Sequence, residues 1–306
     1  MSLRERLASG SFAVTAEISP PRGASTDPIT AAAALLRGWV DAVNITDNQG
    51  SNVRLASWAG SLAALAAGLE PVMQMTCRDR NRIALQSDLL GASALGIRTI
   101  LVMTGDHPKF GDHPGAKPVF DLDSIQLLWT LRTMRDQAVL LSGRRLDPAP
   151  STDCFLGAVE NPFAPPVPFR ADRLGKKVEA GAQFVQTQFV FDVPAFGQWM
   201  AQVRDLGLPE RCAILAGVGA VRSLRALDYM RDKVPGVYVP DEVYRRLRAV
   251  PADRTAAEGV RLAAEIVEQV REIPGVAGVH LLVAGNEQAV PGILDGAGLG
   301  VGRDGR

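Results

Sequence analysis

The chain has 306 residues, and its 33 Lys and Arg balance 33 Asp and Glu, so the formal net charge is zero. Apolar residues make up 47% of it and aromatic residues only 6%. That composition excludes a disordered chain, which is polar and strongly charged, and argues against a dedicated nucleic-acid binder, which carries a basic excess.

The N-terminal ten residues carry Arg4 and Arg6 but no apolar stretch, so no secretory signal is expected. From there, short apolar runs alternate with helical ones. Strands are expected at residues 12–18, 40–46, 71–76, 99–104, 154–159, 184–189, 212–218 and 278–283. Each is short, partly β-branched and suited to a strand buried on both faces of a parallel sheet. Helices are expected at 27–38, 54–68, 79–96, 121–137, 170–181, 194–206 and 223–233, then an extra pair at 240–250 and 252–271, and a last one at 288–296. In the second of the extra pair, Val260, Ala263, Ala264, Val267 and Val270 recur on one helical face.

Eight strand–helix units fit one (β/α)8 barrel of the TIM type, residues 1–306, with extra helices before the last strand and a flexible C-terminal tail from about 297. The alternative is a doubly wound open sheet in two halves. No Gly-x-Gly-x-x-Gly follows the first strand, and Gly217-Val-Gly219 lacks the third glycine, which favours the barrel. Cys77, Cys154 and Cys212 are far apart and form no Cys-x-x-Cys. They read as thiols of a cytoplasmic protein without a disulfide frame or zinc site. No run reaches the roughly 18 apolar residues of a membrane span.

In such a barrel, chemistry belongs where strands end and βα loops begin. Those places are polar here: Glu17; Thr46-Asp47-Asn48; Gln74 through Asp79; Thr104-Gly-Asp106-His107; Glu160-Asn161; Gln186-Thr-Gln188; Gly285-Asn286. Thr, Asp and Asn there often cap the next helix, and Asp79, just before a helical run, reads first as such a cap. Glu17 precedes Ser-Pro-Pro and has no helix to cap, so it reads as functional. Gln188 sits in an apolar strand, where its amide is either a satisfied core group or turned to a polar ligand. The loop after strand four holds Gly-Asp-His-Pro twice, at 105–108 and 111–114. Its spacing matches no standard metal site, and long loops of this kind often bind ligands. Lys109 and Lys117 there are candidates to meet phosphates. His280, inside strand eight, reads as structural. No Gly-x-Ser-x-Gly and no P-loop occurs.

Seven motifs in order resemble the methylenetetrahydrofolate reductase family: Glu17-Ile-Ser-Pro-Pro-Arg22, Asn44-Ile-Thr-Asp-Asn48, Gln74-Met-Thr-Cys-Arg-Asp-Arg-Asn-Arg82, Ala94-Leu-Gly-Ile97, Thr104-Gly-Asp106, Lys177-Val-Glu-Ala-Gly-Ala182 and Thr187-Gln-Phe-Val-Phe-Asp192. The resemblance runs from about Phe12 to Asn286. It implies an eight-stranded barrel that reduces 5,10-methylenetetrahydrofolate to 5-methyltetrahydrofolate through a flavin, FAD or else FMN, itself reduced by NADH or NADPH. It implies that Glu17 is the acid that opens the methylene bridge and that Asp106 lies near the flavin ring and the pterin. Gln188 matches a substrate-contacting position, and Leu224 and Asn286 fall in substrate-lining segments. Thr46, Gln74, Thr104, Gly105, Phe120, Val159, Asn161 and Lys177 fall at flavin-contacting or flavin-lining positions. No metal is implied.

Some positions depart from the better-known bacterial pattern. Gln74 stands in place of a His, Thr104 of an Arg, Asn161 of a Tyr, Leu224 of a Phe and Glu287 of an Arg. Two other readings therefore accompany the reductase. One is a flavin-free folate-dependent methyltransferase or demethylase. The other is the folate-site subunit of an electron-transfer complex, which the duplicated loop and Phe120-Asp-Leu-Asp-Ser124 resemble. Ala-rich helices also allow a homo-oligomer.

Overall fold

In a computed structural model, which describes residues 1–147, 152–234 and 236–300, the strands close into one all-parallel barrel in the order β1 to β8. They are β1 (Ala13–Ile18), β2 (Ala42–Ile45), β3 (Glu70–Thr76), β4 (Thr99–Met103), β5 (Phe155–Glu160), β6 (Phe184–Phe189), β7 (Ala213–Val218) and β8 (Val276–Leu281). Closure rules out the open doubly wound sheet. All eight expected strands form, with ends displaced by at most a few residues.

The helices are α1 (Leu3–Ala8), α2 (Asp27–Leu36), α3 (Ser57–Ala66), α4 (Arg82–Ala94), α5 (Ser124–Gln137), α6 (Arg170–Ala180), α7 (Val193–Asp205), α8 (Leu224–Lys233), α9 (Asp241–Arg248), α10 (Thr255–Arg271) and α11 (Val290–Gly296). α9 and α10 are the extra pair. α1 was not expected. A capping box starts it: Ser2 Oγ accepts from Glu5 N, and Glu5 Oε2 accepts from Ser2 N at 2.8 Å. After α11, Ala297 is buried and Leu299 N donates to Leu294 O at 2.7 Å. The rest of the expected tail, 301–306, lies outside the described residues.

Successive strand residues face opposite sides, and the two faces differ in chemistry. The outer residues, such as Val14, Ala16 and Ile18 on β1, pack under the helices in the main core. The inner face changes along each strand. Its first layer is apolar: Ala13, Ala42, Val72, Leu101, Phe155, Phe184 and Leu215 form a separate cluster, closed from below by Leu3 of α1. Phe155 and Phe184 stack with centroids 4.9 Å apart. Gly157 on β5 leaves the room for this, because a Cβ there would lie 2.2 Å from Phe184 Cζ. The next inner positions are polar: Thr15, Asn44, Gln74, Gln186 and His280, all buried. The strand ends therefore open on a polar floor supported by an apolar plug.

Candidate active site

A cavity of about 870 Å³ opens at the C-terminal ends of the strands, a size typical of ligand sites. Ten of the expected site residues line it: Glu17, Gln74, Thr104, Gly105, Asp106, Val159, Asn161, Lys177, Gln188 and Asn286. The other three do not. Thr46 is fully buried beside the lining residue Asp47, and its hydroxyl has no partner among the described residues. Phe120 (φ +40°) and Leu224 are partly buried and packed against the main core. On the Leu224 side, the cavity wall comes instead from Arg222, Arg225, Tyr229 and Met230.

Glu17, 7% exposed, ends the inner row Ala13, Thr15, Glu17 of β1. Its Oε1 accepts from Gln74 Nε2 at 3.3 Å and lies 3.8 Å from His280 Nε2. His280, expected to be merely structural, therefore lines the cavity. Gln188 Oε1 accepts from Phe189 N at 3.0 Å, and its amide nitrogen has no bond among the described residues. The satisfied core amide is instead Gln186, two residues earlier.

Asp106 is exposed at the rim, and no cation pairs with its carboxylate among the described residues. Its peptide is held by the loop before it. Arg78 uses its whole guanidinium to tie three loops: Nε and Nη2 grip Asp79 at 2.8 and 2.7 Å, Nη1 reaches Ser51 Oγ at 3.0 Å and Asp106 O at 3.3 Å, and Nη2 reaches Asn48 O at 3.2 Å. This corrects the reading of Asp79 as a helix cap. The ion pair occupies its carboxylate, and Asn81 caps α4 instead, accepting from Ile83 N and Ala84 N. Arg78 also explains the glycine in Thr104-Gly-Asp106. Gly105 has φ +90°, and a Cβ there would lie 3.2 Å from Arg78 Cβ and Thr76 Cβ.

The duplicated loop folds onto the turn after β2. Ser51 Oγ donates to Asp106 O at 2.9 Å, and Asp112 accepts from Val53 N at 3.1 Å. His107 Nδ1 accepts from Lys109 N. Lys109 and Lys117 are exposed and do not line the cavity. The cations that do are Arg78, Arg170, Arg173, Lys177, Arg222 and Arg225, against the carboxylates Glu17, Asp47, Asp106 and Glu160. A neutral chain thus places six cations against four carboxylates around its cavity. At one end, buried Glu160 faces Lys177 at 2.7 Å, Arg170 at 3.6 Å and Arg173 at 3.9 Å. Lys177 Nζ also donates to Val159 O. Burial pulls the Lys177 pKa below its ordinary value, outweighing the opposing pull of Glu160.

The five arginines and the residues Thr15, Asn44, Gln186 and His280 were not among the expected site residues. Thr15, Asn44 and Gln186 had a signal: polar residues recurring every second position with Glu17, Thr46 and Gln188 in otherwise apolar strands. The arginines lie on helix starts and loops, where sequence periodicity carries no such mark.

A sequence model of the family described as methylenetetrahydrofolate reductase matches residues 2–298. The chain is 25% identical over 295 residues to a Caenorhabditis elegans protein named probable methylenetetrahydrofolate reductase (NADPH), covering 92% of this chain and 42% of that one. It is 24% identical over 257 residues to methylenetetrahydrofolate reductase 2 of Schizosaccharomyces pombe, covering 82% and 39%. The chain thus spans about two fifths of the length of these curated relatives. Among solved structures, a Clostridium thermocellum protein described as binding two copies of 5-methyl-5,6,7,8-tetrahydrofolic acid superposes with TM-score 0.65 at 13% identity, covering 96% of this chain and 97% of that one. An F420-dependent secondary alcohol dehydrogenase superposes with TM-score 0.58 at 15% identity, covering 94% and 99%. At these identities both share the fold.

Proposed function

The chain belongs to the methylenetetrahydrofolate reductase family, and on that premise we propose that it reduces 5,10-methylenetetrahydrofolate to 5-methyltetrahydrofolate, with FAD as the hydride carrier and NADH or NADPH as its source. The observation that carries this reading is the convergence of Glu17, Asp106, Gln188 and Lys177, from four separate family motifs, on one cavity. The C. thermocellum protein of the same fold binds the reduced folate that this reading makes the product.

The residues fit a flavin nucleotide in their charge. The excess of cations beside Glu160 suits a diphosphate. Arg170, Arg173 and Lys177 would hold the cofactor, which when bound supplies the hydride.

The remaining work falls to the protein. Protonation of the bridging amine opens the methylene bridge and leaves an iminium carbon, which accepts the hydride. Glu17 supplies that proton from the cavity floor, oriented by Gln74 and His280. Gln188, whose amide nitrogen has no partner among the described residues, and the Asp106 carboxylate offer a donor and an acceptor to the pterin. Cytoplasmic work suits the three buried free thiols. Burial pushes Cys77 and Cys212 up to about 12, which keeps both unreactive. Among the described residues, no helix is long and apolar enough to cross a membrane.

The test begins with the absorption spectrum of the purified protein, followed by anaerobic reoxidation of its reduced flavin by methylenetetrahydrofolate. Glu17→Gln is expected to slow that reoxidation by about 10²–10⁴-fold, the usual worth of a positioned acid, and to leave flavin reduction by a chemical donor unchanged. A protein without flavin, or equal loss of both half-reactions in Glu17→Gln, overturns the reading.

A further inference from the structure

We propose that Gln186 is a positioning residue for the Glu17 carboxyl group, acting through Asn44, Thr15 and His280. The inference rests on Glu17 being the acid of the reaction above.

The hydrogen bonds inside the barrel form a chain with a single consistent direction. The carboxamides of Gln186 on β6 and Asn44 on β2 meet across the barrel and bond reciprocally: Asn44 Nδ2 donates to Gln186 Oε1 at 2.6 Å, and Gln186 Nε2 donates to Asn44 Oδ1 at 3.0 Å. An amide held at its oxygen in this way presents its nitrogen to a third partner. That partner is Thr15 Oγ1 on β1, at 3.1 Å. Thr15 has accepted one bond, and its only proton goes to its other neighbour, His280 Nδ1 on β8, at 2.9 Å. A neutral imidazole that accepts at Nδ1 carries its proton on Nε2.

That Nε2–H faces Glu17 Oε1 at 3.8 Å, the same oxygen that accepts from Gln74 Nε2 at 3.3 Å. The Gln74 bond to Oε1, with the His280 Nε2–H facing the same oxygen, marks Oε1 as the carbonyl oxygen of the protonated acid and leaves Oε2 to carry the proton toward substrate. Gln186, Asn44, Thr15 and His280 are all at most 2% exposed, so water does not compete for these bonds. Branched apolar residues ordinarily fill this layer of a barrel. Two amides there need hydrogen-bond partners that apolar residues would not, and their geometry accounts for them as the element that orients the chain.

The test is the histidine tautomer, read by nitrogen-15 NMR of the protein prepared without flavin or folate. The chain has three histidines, so His107→Gln and His113→Gln assign the His280 signals. The wild type is expected to show Nδ1 unprotonated and Nε2 protonated. Thr15→Val, close in shape, and the double variant Asn44→Val/Gln186→Leu, which removes both amides together, are each expected to lose that preference. The double variant is also expected to slow reoxidation of reduced flavin by methylenetetrahydrofolate roughly tenfold to a hundredfold, as a displaced catalytic group does, with flavin reduction by a chemical donor unchanged.

A proton on Nδ1 in the wild type, or an unchanged tautomer in Thr15→Val, overturns the inference. The tautomer is read without substrate, so its failure bears on this inference alone. An intact tautomer in a protein that reduces no folate overturns the reaction instead.

Discussion

At Glu160 a single buried carboxylate holds three cations in place, and Lys177 is the one in direct contact. Lys177 tolerates its burial only because Glu160 and Val159 O receive its protons. Lys177→Met is therefore expected to act in two ways. It leaves Glu160 with Arg170 and Arg173 at longer range, so its cost in stability falls below the roughly 3–5 kcal/mol of stranding a fully buried charge. It also removes a charged donor from the proposed cofactor site, worth about 1.5–3 kcal/mol, so flavin affinity drops tenfold or more. Denaturant titration and a flavin-binding titration measure the two separately, and unchanged flavin affinity would take Lys177 out of the cofactor site. Lys177 was legible in the sequence through its motif. Arg170 and Arg173, two and one helical turns before it on α6, were not, because only the packing of α6 on β5 brings them to Glu160.

Among the elements, the starts of α4 and α5 are joined by Asp121. Its carboxylate accepts from Arg82 Nε and Nη2, both at 2.8 Å, and from Arg82 N at 2.9 Å. The Arg82 side-chain bonds, foremost, and its backbone bond hold Asp121 down to about 2, against an ordinary 3.8. The folded value lies below the unfolded one. The stabilisation is therefore full above the ordinary value and is lost as pH falls toward the folded one. Asp121→Asn is expected to lower the denaturation midpoint near neutral pH, with the gap to wild type closing as pH falls through this window. A gap independent of pH would contradict the assignment. Helix starts were easy to place but their caps were not. Asp79, Arg80 and Asn81 all precede α4, and the choice fell to Asn81 once the guanidinium of Arg78 had taken Asp79.

For the whole molecule, the barrel stands on its lower layer. Leu3 of α1 closes the bottom against residues from seven strands, fully buried although it lies near the chain start. Leu3→Ala is expected to cost about 2–5 kcal/mol, as for other buried leucines, seen as a lower denaturation midpoint with little change at the cavity above. A cost within about 0.5 kcal/mol, the range of ordinary surface changes, would mean that α1 merely rests on the barrel.

The sequence by itself determined the alternation of strand and helix and the places where strands end, because periodicity and turn chemistry are local, and it pointed to Glu17 and Gln188 by their surroundings and to Asp106 and Lys177 through the family motifs. The tertiary structure decided what those residues meet. Barrel closure sets β1 beside β8 and puts Thr15 level with His280, while β2 and β6 face each other across the interior so that Asn44 reaches Gln186. It also moved the cavity's cations from the expected loop lysines to arginines on α6 and at the start of α8. Such partners are far apart in the chain, and only strand register and closure bring them within hydrogen-bonding distance.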